Sequence, residues 1–115
     1  MTHHAIVVTT FDKRTIDQLR EVAIDLFDKR LVTEIIETVV NGYYTFLIGP
    51  DGSKEGWAQS DEGDEARDKF IEFIHALDYE DGSSPVDFAE VQYGEESGYN
   101  KLLRSDSDER HGEEK

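Results

Sequence analysis

The apolar residues of this chain recur with two periods, one typical of strands and one typical of helices. An apolar, β-branched run at 5–10 predicts a strand that is buried on both faces and lies at the centre of a sheet. Thr15 and Gln18 have the spacing of a capping box, and the apolar residues after Thr15 share one helical face, which predicts a first helix at about 16–29. These residues are Ile16, Leu19, Val22, Ala23, Leu26 and Phe27.

Two β-branched and aromatic runs, 33–40 and 43–48, are separated only by Asn41 and Gly42. Both of these residues adopt positive φ at low cost, as a type I′ turn requires, so the pattern predicts a two-residue β-hairpin. Such a short loop would also fix the register of the two strands. The predicted facing pairs are Val40 with Tyr43, Val39 with Tyr44, Glu37 with Phe46, and Ile36 with Leu47.

The second half of the chain predicts one more helix and one more strand. After the turn signal at 50–52, residues 57–59 are predicted to form a short extra strand. Ser60 or Asp61 can cap a second helix, and the alternation at 86–93 predicts the last strand. The predicted buried stripe of the second helix is Ala66, Phe70, Phe73, Ile74 and Leu77.

The order β-α-β-β-α-β resembles the ferredoxin-like split βαβ arrangement over about residues 4–93. This resemblance implies the α+β class, a sandwich of an antiparallel sheet with both helices on one face, and it implies no activity. A chain of 115 residues has room for one core, so we expect a single domain at 1–104. The polar, charged segment at 105–115 is predicted to be a disordered acidic tail.

Both faces of the predicted hairpin are apolar, although a sheet covered on one side needs only one apolar face. We assign the face with Ile35, Val39, Tyr44, Phe46 and Ile48 to the helices. The opposite face, with Ile36, Val40, Tyr43 and Leu47, would then stay open and expose much apolar surface. A second copy of the chain, residues 95–103 of the same chain, or a ligand would cover it.

Composition excludes several classes of function. The net charge of −15 disfavours direct binding of nucleic acid, and the absence of cysteine excludes disulfides, thiolate nucleophiles and Cys-ligated metals. The four histidines are not at metal-ligand spacing, so no metal or cofactor is expected. No run approaches the roughly 20 apolar residues that cross a bilayer, so we expect a cytoplasmic protein with no membrane partner.

The acidic residues form stripes on both predicted helices, opposite their apolar faces. Side-by-side packing of the helices would merge these stripes into one acidic surface. This surface either is a solvated face that aids solubility or salt tolerance, or is a docking face for a basic protein, including mimicry of nucleic-acid phosphates. The eight residues are Asp17, Glu21, Asp25, Asp28, Asp61, Glu65, Asp68 and Glu72.

Two further positions are candidates for chemistry. Glu37 is the one carboxylate predicted to point into an apolar face, where it could act as an acid. The explanation we favour is a sheet-edge residue whose carboxylate reaches solvent or pairs with Arg20 or Lys69. The Gly-rich loop at 49–60 contains Asp51, Lys54 and Trp57 as candidate functional residues, although we favour the structural explanation, a turn followed by an edge-of-core Trp.

The sequence therefore favours a small, non-enzymatic binding or regulatory domain. We expect a homodimer that presents its acidic helices to a basic protein. The alternatives are a small-ligand binder or enzyme that uses the open sheet face with Glu37 or the 49–60 loop, and a structural accessory subunit.

Overall fold

Five strands and two helices make up the described part of the chain, residues 2–53, 57–79, 84–94 and 100–106 of a computed structural model. The elements are β1 (His3–Thr10), α1 (Lys13–Leu26), a 3₁₀ turn (Lys29–Leu31), β2 (Ile36–Glu37), β3 (Tyr44–Ile48), α2 (Ala58–His75), β4 (Val86–Tyr93) and β5 (Lys101–Ser105). All strand pairs are antiparallel, in the order β2-β3-β1-β4-β5. The predicted α+β class is confirmed.

The sheet has one strand more than the predicted four. β5 pairs with β4, with Val91 opposite Leu102 and Ala89 opposite Ser105, so the sheet differs from a simple four-stranded ferredoxin-like one. Residues 101–103 therefore extend the sheet edge and do not fold back over the hairpin. Asp106 accepts a hydrogen bond from the Phe88 amide at 3.2 Å. The rest of the predicted tail, 107–115, lies outside the described residues.

The core lies on one face of the sheet only. Apolar residues of β1, β3 and β4 interlock there with one stripe from each helix because both helices pack on this side. β1 is central, as predicted, but its expected burial on both faces is wrong, since Val7 is 38% exposed. The largest fully buried apolar side chains are Ile6, Val8, Phe46, Ile48 and Val86 in the strands and Ile16, Leu19, Phe70 and Ile74 in the helices.

Both helices begin about three residues earlier than predicted. Asp12 is the N-cap residue of α1, and the Thr15 hydroxyl donates to the Asp12 carboxylate at 2.5 Å, so Thr15 lies inside the helix. At α2, the Trp57 carbonyl accepts hydrogen bonds from the Ser60 and Asp61 amides at 3.0 and 3.3 Å. The extra strand predicted at 57–59 is therefore wrong, because these residues start a helix.

The hairpin turns where predicted but closes differently. Asn41 and Gly42 have φ values of 68° and 67°, as a type I′ turn requires. Ile36 faces Thr45, which is two residues from its predicted partner Leu47. The Thr38 hydroxyl donates to the Val40 carbonyl and accepts from the Tyr43 amide, so residues 39–42 form a longer loop. A shift of two residues keeps every strand side chain on its predicted face. Val39, which we assigned to the core, is fully exposed.

Candidate functional site

A buried ionic cluster joins α2 to β4 beneath the helices. Glu90 of β4 is 3% exposed and Arg67 of α2 is 8% exposed. Arg67 Nε lies 3.5 Å from Glu90 Oε2, and the Arg67 guanidinium also donates to Asp64 one turn earlier on α2. Burial of the two opposite charges together avoids the large cost of burying either one alone.

Arg104 connects this cluster to β5. Its guanidinium donates to both oxygens of Glu90, at 2.5 and 3.1 Å, and to Asp68 Oδ1 at 2.9 Å. The hydrogen bond with Glu90 raises the pKa of Arg104 above its ordinary value. This bidentate contact links the edge strand β5 to β4 on the helix side of the sheet.

Gly63 of α2 leaves space for the charged groups of the cluster, because glycine has no side chain. A Cβ at Gly63 would lie 3.3 Å from Arg67 Nη1 and 3.3 Å from Asp51 Oδ2, so glycine leaves space for these two groups beside the backbone of residue 63. Burial tends to raise the pKa of Asp51, but hydrogen bonds from the Ser53 side chain and amide, together with the charge of Arg67, lower it overall. Asp51, predicted in a functional loop, thus contributes to the electrostatics of the cluster.

Two of the eight predicted carboxylates, Asp25 and Glu65, line a groove between the end of α1 and the middle of α2. α1 and α2 lie side by side, and the groove between them has a volume of about 460 Å³. Leu26 and Ala66 give it an apolar lining, and carboxylates come from both helices. The charged residues along it are Asp25, Glu62, Glu65 and Lys69. All eight predicted carboxylates are exposed.

Four of these eight carboxylates form ion pairs that the sequence did not show, among them Glu65, whose carboxylate lies 3.2 Å from Lys69 Nζ. Asp28 lies beyond the end of α1, so its predicted place on the stripe of the first helix is wrong. It caps the 3₁₀ turn, and hydrogen bonds from the Arg30 side chain and amide lower the pKa of Asp28 to about 2. Asp68 turns toward Arg104, and Asp17 pairs with Lys13 at 2.8 Å.

The second candidate surface is the side of the sheet away from the helices. We call it the open sheet face and define it by Val7, Ile36, Leu47, Val91, Tyr93 and Leu102, whose strand registers place them together. Thr9 and Thr45 share a 2.9 Å hydrogen bond between their hydroxyls on the same side. Of the predicted residues of this face, Ile36 and Leu47 lie on it, whereas Val40 lies in the hairpin loop and Tyr43 beside that loop; all four are exposed.

The structure does not support Glu37 as a buried acid. Glu37 is exposed on the short edge strand β2, opposite Tyr44. Neither proposed ion-pair partner contacts it: Arg20 lies 3.5 Å from Glu34, and Lys69 lies 3.2 Å from Glu65. Trp57 is half exposed at the start of α2, and Lys54 lies outside the described residues.

The sequence-based predictions missed Arg67, Glu90 and Arg104. A usable signal was present for two of them. Arg67 precedes Phe70 by three residues and Ile74 by seven, which places it on the apolar stripe of α2. Glu90 continues the inward alternation of Val86 and Phe88 in β4. Two opposite charges, each on an apolar face, are a pattern expected of a buried pair.

Comparisons with protein-family models, curated proteins and solved structures found no match. Among the residues that the structure describes, no group of three or more His, Asp or Glu side chains is placed to hold a metal ion. No described helix combines the length and the apolar character needed to cross a membrane.

Proposed function

We propose that this chain is a non-enzymatic binding domain whose α1–α2 groove takes a basic amphipathic helix of a partner protein. The observation that carries the proposal is the combination of an apolar lining, from Leu26 and Ala66, with carboxylates contributed by both helices. An amphipathic helix binds by laying its apolar side in such a groove, and its lysines and arginines would pair with the acidic rim.

The charge of the domain supports a basic partner. The chain carries 27 acidic and 12 basic residues, and only Lys69 adds a positive charge to the groove. A field of one sign accelerates encounter with an oppositely charged partner and repels acidic ones. The exposure of Glu37 weighs against its role as a buried general acid.

We also propose that the sheet and helices form a ferredoxin-like fold with one added strand. The strand order β2-β3-β1-β4 supports a ferredoxin-like core, to which β5 adds an edge strand. In such a core both helices share one face of the sheet, so the groove between them is already present in the unbound chain.

The proposal is tested by titrating the full chain with an arginine- and lysine-rich amphipathic peptide in a calorimeter at several salt concentrations. The double variant Glu62→Gln/Glu65→Gln should raise the peptide Kd by about 10-fold or more, because it removes two rim charges. Binding by the unaltered chain should weaken as salt rises, because screening acts on exposed charges.

A matched control separates the groove from the net charge. Glu34→Gln/Glu37→Gln neutralises the same number of exposed carboxylates away from the groove, and each double variant breaks one ion pair, Glu34 with Arg20 or Glu65 with Lys69. The control should change the Kd by less than about twofold. Equal weakening by both double variants, or binding that does not depend on salt, would refute a specific groove.

A further inference from the structure

We infer that the open sheet face binds the same face of a second copy of this chain. Its apolar side chains are strongly exposed for strand residues: Leu47 is 39% exposed, Leu102 56% and Ile36 63%, in addition to Val7 on the central strand. Contiguous apolar surface of this kind marks an interaction site in a water-exposed sheet. This surface lies opposite the α1–α2 groove and does not depend on it.

The charge distribution favours a second copy as the occupant. Charged residues make up 34% of the chain, yet the strand positions on the open sheet face include a single charged residue, Asp87. Two chains of net charge −15 can approach most closely through this side, because α1 and α2 carry their acidic residues on the other side. Face-to-face pairing leaves both acidic surfaces pointing outward and far apart.

The chain has almost no apolar residues left with which to cover this face itself. The parts outside the described residues are 1, 54–56, 80–83, 95–99 and 107–115. Their only large apolar side chains are Met1 and Tyr99, and the rest are polar, charged or glycine. A covering segment needs apolar side chains of its own, so this composition favours an occupant from outside the chain.

The size of the face suits a dimer. Four strands of 5–8 residues, spaced about 4.8 Å apart, give a face of about 20 by 20 Å, and the two-residue β2 extends it at one edge. A standard interface contributes roughly 800 Å² of accessible surface from each partner, so side chains beside the sheet would have to add to the roughly 400 Å² that the face projects. A complex of this size reaches micromolar affinity or better when its centre is well packed.

Sedimentation equilibrium of the full chain tests the inference. At about 100 μM the unaltered protein should have twice the mass of one 13.1 kDa chain. Leu47→Lys places a charge in the interface and should raise the dimer Kd by about 30-fold or more. Val39→Lys is the matched control, because Val39 is a fully exposed apolar residue off the sheet, and it should change the Kd by less than about twofold.

A second interface variant and a salt series distinguish loss of the dimer from loss of folding. Leu102→Lys on the edge strand repeats the test with less risk to the core, and circular dichroism checks that each variant is folded. Dimerisation should tighten or stay constant up to about 1 M salt, whereas peptide binding in the groove should weaken, so the two proposals fail separately. The inference would be overturned if the unaltered chain were a monomer at about 100 μM in high salt. It would also be overturned if Leu47→Lys and Leu102→Lys were both folded and still dimeric, or if Val39→Lys raised the dimer Kd as much as they do.

Discussion

Glu90 is the residue on which three elements converge. Its carboxylate on β4 meets Arg67 from α2 and Arg104 from β5, and it is almost completely shielded from water. Buried ion pairs contribute little net stability compared with apolar packing, but loss of one partner leaves the other charges uncompensated. Substitution of Glu90 should therefore lower the free energy of unfolding.

Glu90→Gln should lower the free energy of unfolding by about 2–3 kcal/mol, because Arg67 and Arg104 would keep only the more exposed Asp64 and Asp68 as partners. Urea denaturation followed by circular dichroism measures this change. Glu65→Gln, in the exposed pair with Lys69, is the control and should stay within about 0.5 kcal/mol of the unaltered protein. Similar losses in both variants would argue against a buried cluster.

Asp28 offers a pH test at a single residue. Its pKa of about 2 lies below the unfolded value of about 3.9, so its stabilising effect is complete above that value and is lost as the pH falls toward 2. Arg30→Gln should raise this pKa, measured by NMR titration, but leave it below 3.9 because the backbone hydrogen bond persists. An unchanged pKa in Arg30→Gln, or an equal rise in the control Lys29→Gln, would contradict this assignment.

At the scale of elements, the hairpin combines a local turn preference with a side-chain bond. Asn41 and Gly42 supply the positive φ values, and the Thr38 hydroxyl determines where strand pairing begins. Residues 39 and 40 are thereby held out of the sheet, and β2 ends at Glu37.

Gly42→Ala should destabilise the protein by about 1 kcal/mol, because alanine is strained at a φ of 67°. No heavy atom outside the adjoining residues lies within 4 Å of the added Cβ, so the backbone is the only source of the cost. Thermal unfolding at a fixed protein concentration measures it. The neighbouring loop variant Val39→Ala should have an effect of less than about 0.5 kcal/mol, and a Gly42→Ala protein of unaltered stability would rule out the left-handed turn.

β5 is the other element with a specific means of attachment. Arg104→Gln should release it, and hydrogen exchange should show faster exchange for amides of β5 than for those of β1 and β3, because only the edge strand loses its ionic contacts. Lys101→Gln, on the same strand, should leave exchange unchanged. Uniform acceleration over the whole sheet would instead indicate global destabilisation.

At the scale of the whole molecule, charge and apolar surface lie on opposite sides of one sheet. The helices present the carboxylates, whereas the open sheet face includes one charged residue among its strand positions. A net charge of −15 on a chain of this size also implies self-repulsion in the folded state.

The midpoint temperature of unfolding should therefore rise between about 0.1 and 1 M salt, as the Debye length falls from about 10 to 3 Å. Differential scanning calorimetry in NaCl and in KCl measures this, and the two salts should agree because screening depends on ionic strength. A falling midpoint, or a rise with only one of the two salts, would show that self-repulsion is not the cause.

The sequence alone determined the elements whose signals are local. Helix stripes such as Ile16 and Leu19, the alternation of β4 and the positive-φ turn at Asn41 and Gly42 depend on spacing within a few residues, and the structure contains all of them. Element boundaries were less well determined, because a backbone carbonyl, that of Trp57, begins α2 without a side-chain cap.

Only the tertiary structure decided which distant residues meet. Arg67, Glu90 and Arg104 are separated by 14 to 37 residues, and their contact depends on how the helix and the two strands pack. The addition of β5 at the edge beyond β4 likewise follows from pairing between strands that no local pattern specifies. Spacing along the chain indicates which face a side chain occupies, but the partner across that face is determined by packing.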